Sequence, residues 1–321
     1  MFSIRFDFRN PEFAGVSMAD RYQSAMDMTL WAEELGAVDV TLSEGHVMPD
    51  GFLPSPLPMA AAMAARTERI RFTLAAIIAP FYDPLRLAED VLVLDNLSRG
   101  RVDLVIAAGS GRREFAAYGV PMRERVGRVI EVVTTLRGAF SGGPFDYRGR
   151  SVCLTPGPYS PGGPTLMLGG SAPPAARRAA QIADGFLPAD PSLWEIYRDE
   201  LRVLGKPDPG PYFPGDARVV VLTTDPDAAW DEWAPYFLHD INQYGAWGAD
   251  ADGTPSFRPL SNVDEVKASA QYRVLTPSEY VAELRASPVA YTLLHPMVGG
   301  APPELAWNSL KLFEHDVLPK L

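Results

Sequence analysis

His46 and Glu44 follow a short apolar run, Val38–Leu42, whose β-branched residues are typical of a buried strand. An imidazole titrates near neutral pH and can donate or accept a proton at a bound substrate. A carboxylate two residues earlier adds a second polar group at the same strand end. We therefore predict that His46 is catalytic and that Glu44 contacts the substrate.

Small residues lie at the ends of further apolar runs. Backbone lined by glycine and alanine allows a ligand to approach closely. At one such end Ser171 could cap a helix that Pro173 begins, and the N–H groups and dipole of a helix start suit a phosphate. An ordinary capped turn explains those residues equally well. The strand-end candidates are Ala75, Ala76, Ile77, Gly109, Ser110, Gly169, Gly170 and Ser171.

Two further histidines and a tyrosine are candidates for substrate contact. His239 and Tyr244 lie in a stretch, about 236–271, that is rich in Gly, Asp, Asn and aromatic residues and lacks periodicity. His295 follows the run Val289–Leu294. Packing explains each of them equally well. The histidines are too scattered along the sequence to indicate a metal site, and a single cysteine, Cys153, excludes a cysteine-rich one.

Strand-like runs alternate with segments of helical period along the whole chain, which predicts a parallel sheet covered by helices. We predict a single domain, residues 1–321, folded as a (β/α)8 TIM barrel. An irregular insertion, 236–271, separates strands seven and eight and shapes the substrate pocket. In such barrels the site lies at the carboxyl ends of the strands. The eight predicted strands are Ser3–Phe8, Val38–Leu42, Ile70–Ile78, Val102–Ala107, Pro164–Leu168, Gly185–Leu187, Ala217–Leu222 and Val289–Leu294.

Composition restricts the partners. A formal net charge of −11 disfavours nucleic acid and anionic membranes, both of which attract Lys and Arg. No apolar run approaches the length that crosses a bilayer. The N-terminus opens on a strand pattern and resembles no signal peptide. We expect a cytoplasmic protein that acts on a small molecule.

Two other classes of site fit poorly. Gly109-Ser110-Gly111 follows a strand, as in a dinucleotide-binding fingerprint, but Glu114 stands where the third glycine belongs. A phosphate-binding barrel of the aldolase or isomerase type would be expected to place a catalytic Lys or Glu at a strand end. The lysines lie away from the predicted strand ends, and Glu44 is the acidic candidate that lies at one.

Three consecutive stretches resemble the most distinctive region of the bacterial luciferase-like monooxygenase family: Ile70–Pro80, Asp83–Asp90 and Leu94–Arg101. The passages Ala32–Gly36 to Glu44–His46, Gly169–Ser171 and Ala183–Pro188 are also similar to the family. The resemblance covers about residues 1–230 and the last strand–helix unit.

The resemblance implies FMN, or alternatively the deazaflavin F420, bound at the barrel mouth. It implies a non-proline cis peptide at Ala75-Ala76, next to Ile77 and behind the flavin ring. The phosphate would lie near Gly169, Gly170 and Ser171, with Gly109 and Ser110 opposite. His46 matches the family's strand-two histidine. A homodimer formed through the helices after strands two and three is expected.

Departures from the family limit the reaction. Luciferases carry two adjacent histidines where this chain has Gly45-His46, and a reactive cysteine where it has Ala107. Ala108 replaces an arginine that often binds the phosphate; Arg112, Arg113 and Arg177 are candidates for the missing charge. Light emission from a long aldehyde is therefore not expected.

We predict an FMN-dependent monooxygenase that oxidises a small organic substrate with O2, using flavin reduced by a separate flavin reductase. The alternative is an F420-dependent reductase or dehydrogenase that transfers hydride. A second alternative is a flavin-binding protein without catalysis.

Overall fold

The computed structural model describes residues 1–212, 218–251, 258–287 and 291–321. Its strands are β1 (Phe2–Phe6), β2 (Asp39–Leu42), β3 (Arg71–Ile78), β4 (Val102–Ala107), β5 (Phe145–Tyr147), β6 (Arg150–Val152), β7 (Thr165–Gly170), β8 (Gly185–Pro188), β9 (Val219–Leu222), β10 (Tyr272–Leu275) and β11 (Thr292–Leu294). Its helices are α1 (Met18–Glu34), α2 (Pro56–Ala64), α3 (Pro84–Ser98), α4 (Arg112–Tyr118), α5 (Arg125–Phe140), α6 (Pro173–Ile182), α7 (Leu193–Val203), α8 (Pro226–Asp250), α9 (Val263–Ser269), α10 (Pro277–Ala286) and α11 (Pro303–Leu312).

The chain divides into two compact units. The first unit comprises residues 1–41, 45–54 and 214–321. The second unit comprises residues 42–44 and 55–213. Parallel strands followed by helices make up most of each unit, which confirms the predicted α/β class.

In the second unit, β3, β4, β7 and β8 are neighbours in that order, and each pair is parallel. Their runs are apolar on both faces, as expected for strands with helices on either side. The register places Val105 on β4 beside Ala75 on β3 and beside Met167 on β7. The carboxyl ends of these strands therefore lie at one edge of the sheet. The small hairpin β5–β6 is antiparallel.

In the first unit, β1 lies between β11 and β2, and it pairs with β11 in parallel through Phe2–Ile4. The strand β9 pairs with β10, also in parallel. Two predicted strands, Ala217–Leu222 and Val289–Leu294, correspond to β9 and β11. Residue 217 and residues 289–290 of these runs lie outside the described part of the chain.

The predicted irregular insertion, 236–271, is wrong for most of its length. Residues 236–250 continue the 25-residue helix α8, and α9 follows after the gap in the described residues. The helix forms because every fourth residue is apolar or small and packs inward: Ala229, Trp233, Phe237, Ile241 and Gly245 are all buried. These side chains pack against β9 and β10, and so a tertiary core overrides Pro235 within the helix.

The run Leu94–Arg101 has a structural role. The buried guanidinium of Arg101 donates to the carbonyl oxygens of Ala64, Thr67, Ile70 and Ser98 at 2.6–3.0 Å. Asp95, also buried, accepts from the backbone N–H groups of Tyr159 and Ser160 at 2.7 and 3.0 Å. These bonds hold the start of β3 and the loop before β7, both of which lead into strands that end at the site edge.

Within the described residues, no helix is both long and apolar enough to cross a membrane. A closed eight-stranded barrel and a single domain over 1–321 stay predictions.

Candidate active site

The predicted cofactor residues of the second unit gather at the carboxyl edge of its sheet. The Ala75-Ala76 peptide bond is cis, as the resemblance implied, and the β3–β4 register shifts between Ala75 and Ile77. Gly109 and Ser110 follow β4 by two and three residues, and Gly169-Gly170 ends β7. Parallel pairing of adjacent strands accounts for this arrangement. Ala75, Ala76, Gly109, Gly169 and Gly170 are half-buried, Ile77 is buried, and Ser110 and Ser171 are exposed.

Side chains larger than hydrogen are excluded at two of these positions. Gly109 has a φ of +67°, and a Cβ there would lie 2.7 Å from Ile78 Cγ2. A Cβ on Gly170 would lie 2.4 Å from that of Ala175. Neighbouring side chains therefore leave room only for glycine at these two positions, and the backbone at the strand ends is not covered by side chains of its own.

The start of α6 differs from the prediction. Ala172, and not Ser171, is the N-cap, and no side chain caps the helix. Pro173 and Pro174 have no N–H, and the N–H of Ala175 already donates to Ala172 O at 2.9 Å. A phosphate at this turn would thus depend on the N–H groups of Ser171 and Ala172, which have no acceptor within the described residues, and on the Ser171 hydroxyl.

Glu44 contacts a cluster of aromatic side chains in the second unit. Its Oε2 accepts a 3.0 Å hydrogen bond from the Tyr82 hydroxyl, and Glu44 is buried. Burial, and then the Glu44 charge, raise the pKa of Tyr82. Phe81 stacks on Tyr118 with ring centroids 4.4 Å apart. Tyr82 therefore stays a neutral donor that orients Glu44.

The first unit contains a buried charged network that was only partly predicted. Asp50 Oδ2 accepts from Arg9 Nη1 at 2.6 Å and lies 2.8 Å from His239 Nε2. The Arg9 guanidinium also lies over the rings of Phe52 and Tyr244, at 4.6 and 4.8 Å. Burial raises the pKa of Asp50, but the hydrogen bonds from His239 and Arg9 outweigh it and lower that pKa.

Two more carboxyl groups belong to this network and have opposite pKa shifts. Burial alone would raise the pKa of Asp7, but His295, whose Nε2 lies 3.3 Å from Asp7 Oδ2, and the nearby arginines lower it. Burial and the negative charge of Asp7 raise the pKa of Asp240. Tyr272 donates a 2.6 Å hydrogen bond to Asp240 Oδ2. Asp7 is thus held as a carboxylate, whereas burial and the charge of Asp7 raise the pKa of Asp240.

The structure brings together three of the four predicted substrate residues. His239, Tyr244 and His295 belong to the network of the first unit, and Arg5 Nη2 donates to the Tyr244 hydroxyl at 2.7 Å. Glu44 lies in the second unit, bonded to Tyr82. The predicted catalytic residue, His46, is buried in the segment after β2 and has interaction partners there.

Arg5, Arg9, Asp50, Asp240 and Tyr272 were not predicted. The sequence did contain a signal for Arg5. Polar residues at positions 3, 5 and 7 alternate with apolar residues at 2, 4 and 6, and so the polar side chains share one face of the strand. Ser3 and Asp7 on that face are buried. Asp50 and Asp240 carry no such local signal. Among the described residues, no group of three His, Cys, Asp or Glu is placed to hold a metal ion.

The family model of the luciferase-like monooxygenases matches residues 2–275. Since that is well over half of the chain, this protein belongs to the luciferase-like monooxygenase family, whose members are flavin- or F420-dependent oxidoreductases.

The F420-dependent glucose-6-phosphate dehydrogenase of Nocardia farcinica is 27% identical over 323 residues, covering 92% of this chain and 93% of that protein. Among solved structures, the monooxygenase RslO1 from Streptomyces bottropensis has a TM-score of 0.76 at 23% identity, with 99% of this chain and 98% of that chain covered. The oxygenating constituent of 3,6-diketocamphane monooxygenase from Pseudomonas putida, a type II Baeyer–Villiger monooxygenase in complex with FMN, has a TM-score of 0.72 at 18% identity, with 100% and 98% covered. This chain shares the fold of both structures.

Proposed function

We propose that this protein is an FMN-dependent monooxygenase that oxidises a small organic substrate with O2, built as one (β/α)8 barrel domain over residues 1–321. The observation that supports it is the carboxyl edge of β3, β4 and β7, where small residues, Ala75-Ala76, Ala107 with Gly109, and Gly169-Gly170, lie at or near the end of each strand. A monooxygenase of the same fold has been solved in complex with FMN, and the matching family is that of the luciferase-like monooxygenases; both support FMN and a monooxygenase reaction.

Ala75, Ala76 and Ile77 would hold one face of the isoalloxazine ring, and Gly109 and Ser110 would contact the cofactor from β4. Gly169, Gly170 and Ser171 would bind the phosphate, together with the N–H of Ala172. Reduced FMN, when bound, supplies the electrons that activate O2. The protein's contribution is to position the ring, to exclude water and to supply a proton at the substrate.

His46 is the group we assign to proton transfer. It is a buried imidazole a few residues beyond the end of β2, and an imidazole can both donate and accept near neutral pH. Glu44, His239, Tyr244 and His295 would contact the substrate. The Tyr82 hydrogen bond fixes the Glu44 carboxylate, so this contact would not depend on a mobile side chain.

An F420-dependent hydride transfer is the second candidate. It is favoured by the F420-dependent relative that aligns over 92% of this chain at 27% identity. The acidic tail of that cofactor would favour basic side chains at the rim, and Arg112 and Arg113 are exposed at the start of α4, directly after the β4 loop.

Assembly and partners are also part of the proposal. A separate flavin reductase would deliver the reduced cofactor. A homodimer would form through α2 and α3, where Pro58, Ala62, Ala65, Val93 and Leu97 leave apolar surface exposed. A cytoplasmic location stays a prediction from the sequence.

The cofactor is tested by titrating apo-protein with FMN and with F420 while absorbance and protein fluorescence are recorded. We expect FMN to bind more tightly and the FMN-loaded protein to consume O2 when a reductase and NADH are added. Tight binding of F420 with FMN ignored would replace the first candidate by the second. Binding of FMN without turnover of any substrate would indicate the non-catalytic alternative.

The role of His46 is tested in the loaded enzyme. We expect His46→Ala to lower kcat by roughly 10²–10⁴-fold while the affinity for the cofactor changes little. His315→Ala, at an exposed histidine near the C-terminus, is the matched control. Equal turnover of the two variants would remove His46 from the mechanism.

A further inference from the structure

The first unit contains a cavity of about 190 Å³. This is several times the ~30 Å³ that one water molecule occupies in the liquid, so the cavity has room for a small organic molecule. The residues that line it are Arg5, Val219, Asp240, Ile241, Tyr244, Gln271, Tyr272 and His295. One part of the wall is therefore polar and charged, and another part is aliphatic.

Arg5 Nε and Asp240 Oδ1 are buried polar atoms of this wall that lack a hydrogen-bond partner within the described residues, whereas His295 Nε2 lies 3.3 Å from Asp7 Oδ2. Asp240 and His295 are each only 6% exposed. Buried donors and acceptors in folded proteins are almost always satisfied, and leaving one unpaired is unfavourable. The cavity wall thus contains one nitrogen and one carboxyl oxygen that a bound molecule could satisfy.

Arg5 is the most informative of these residues. Its Nη2 donates to the Tyr244 hydroxyl at 2.7 Å, which fixes the guanidinium. Among the described residues, no carboxylate oxygen lies within 4.0 Å of its nitrogens. The Tyr244 group raises the pKa of Arg5 against the opposing effect of burial, so this side chain is a cation. The planar guanidinium of arginine can donate two parallel hydrogen bonds to a carboxylate.

We propose that this cavity binds a small aliphatic carboxylate, whose carboxylate pairs with Arg5 and whose hydrocarbon part packs against Val219 and Ile241.

The neighbouring charges are compatible with an anion. Asp50 is engaged by Arg9 and His239, and Asp7 by His295. Asp240 accepts from Tyr272 and its Oδ1 lies 3.7 Å from Arg9 Nε, while burial and the charge of Asp7 raise its pKa. Val219 and Ile241 are 7% and 4% exposed, and they offer an apolar surface that a hydrated inorganic anion would not use.

The cavity contains Tyr244 and His295, which are also proposed substrate contacts, so the assignment of its ligand as a substrate rests on the proposed function. Binding itself does not depend on the flavin, because every residue of the cavity belongs to the first unit and none is a predicted flavin contact. The ligand could be a substrate with a carboxylate group or a regulatory metabolite. Kinetic competition with the substrate distinguishes a substrate from a regulatory metabolite.

Binding is measured by isothermal titration calorimetry of the full chain with butyrate, and with butyramide and butanol as uncharged analogues of similar shape. We expect butyrate to bind and the analogues to bind roughly tenfold to a hundredfold more weakly, because they lack the charge that pairs with Arg5. Arg5→Gln should weaken butyrate binding by a similar factor. The control is Arg86→Gln, at an arginine whose side chain is 70% exposed; it should bind butyrate as the parent does.

Val219→Phe provides a second variant, which keeps Arg5 and fills the aliphatic part of the cavity; it should abolish butyrate binding even if Arg5→Gln does not fold. Absence of butyrate binding to the parent, equal binding of butyramide, or full binding in Val219→Phe would each overturn the proposal. In the kinetic arm, competition of butyrate with the substrate in the loaded enzyme assigns the site to the substrate, and a non-competitive effect assigns it to a regulator.

Discussion

The hydroxyl of Tyr272 donates a 2.6 Å hydrogen bond to Asp240 Oδ2, and both side chains are buried. Tyr272 is on β10 and Asp240 is on α8, so the bond links the long helix to the sheet beneath it. Because the bond lowers the pKa of Asp240 against the larger effect of burial, it partly stabilises the charged form of this carboxyl group.

Tyr272→Phe keeps the ring and removes the donor. We expect it to lower the free energy of unfolding by about 1–3 kcal/mol, because the buried Asp240 oxygen then has no partner. The pKa of Asp240 should rise further. Urea unfolding at pH 7 measures the first effect. Tyr159→Phe, at an exposed tyrosine, should change stability by less than about 0.5 kcal/mol; equal losses in both variants would contradict the role of the bond.

Arg9→Met tests the ion pair with Asp50. The two side chains are 0% and 3% exposed, and removal of the arginine leaves a buried carboxylate with His239 as its remaining partner. Breaking such a pair typically costs about 3–5 kcal/mol. Arg9→Met combined with Asp50→Leu should recover part of that loss, since the Asp50 carboxylate is then removed together with the arginine that compensates it. Denaturant unfolding of both variants, beside Arg86→Met as the exposed control, measures the difference; a double variant no more stable than Arg9→Met would contradict this view.

Asp50 and Asp240 should act in opposite directions on the pH dependence of stability. Burial raises the pKa of Asp50, but His239 and Arg9 lower it overall, so its contribution is present above the unfolded pKa of about 3.9 and is lost as pH falls. The pKa of Asp240 is raised, so its contribution is present below about 3.9 and is lost as pH rises through the folded value.

Asp50→Asn should therefore flatten the acid side of the curve of unfolding free energy against pH, below the unfolded pKa of about 3.9. Asp240→Asn should remove a loss of stability that begins above about pH 4. Chemical unfolding from pH 2.5 to 7 shows both effects, with Asp231→Asn at an exposed site as control. Parallel curves for the parent and Asp50→Asn would show that this carboxyl group is not linked to folding.

The sequence alone predicted which strand ends meet at the carboxyl edge of the sheet in the second unit. Ala75 and Gly170 lie far apart along the chain, yet each follows an apolar run, and the carboxyl ends of parallel neighbours must meet. The N-cap of α6 was predicted wrongly at Ser171, although Pro173 and Pro174, which remove two N–H groups from the first turn, are visible in the sequence.

The helix α8 and the buried charged network of the first unit were not predicted from the sequence pattern. The Gly, Asp, Asn and aromatic residues of 236–271 indicated an irregular segment, although the spacing of four from Trp233 to Gly245 favoured a helix. The contact between Asp50 and His239 spans 189 residues, and no local pattern indicates which distant residues will pair. A buried charge network is set by tertiary packing.

Gly109 and Gly119 form a matched pair of positions that tests the site edge. Both have positive φ, +67° and +65°, so alanine at either position costs about 1–2 kcal/mol in backbone strain. At Gly119 a Cβ meets nothing within 4 Å, whereas at Gly109 it meets Ile78 Cγ2 at 2.7 Å. Ile78 is buried and β-branched, and it has little freedom to move aside.

We therefore expect Gly109→Ala to destabilise the protein by about 1–3 kcal/mol more than Gly119→Ala, because the added methyl overpacks the end of β3. If the proposed function is correct, Gly109→Ala should also weaken FMN binding, while Gly119→Ala leaves it unchanged. Thermal unfolding and FMN titration of the two variants give both readouts. Equal stability of the two variants would show that the strand end has room to spare, and unchanged FMN affinity in a folded Gly109→Ala would place the cofactor away from this loop.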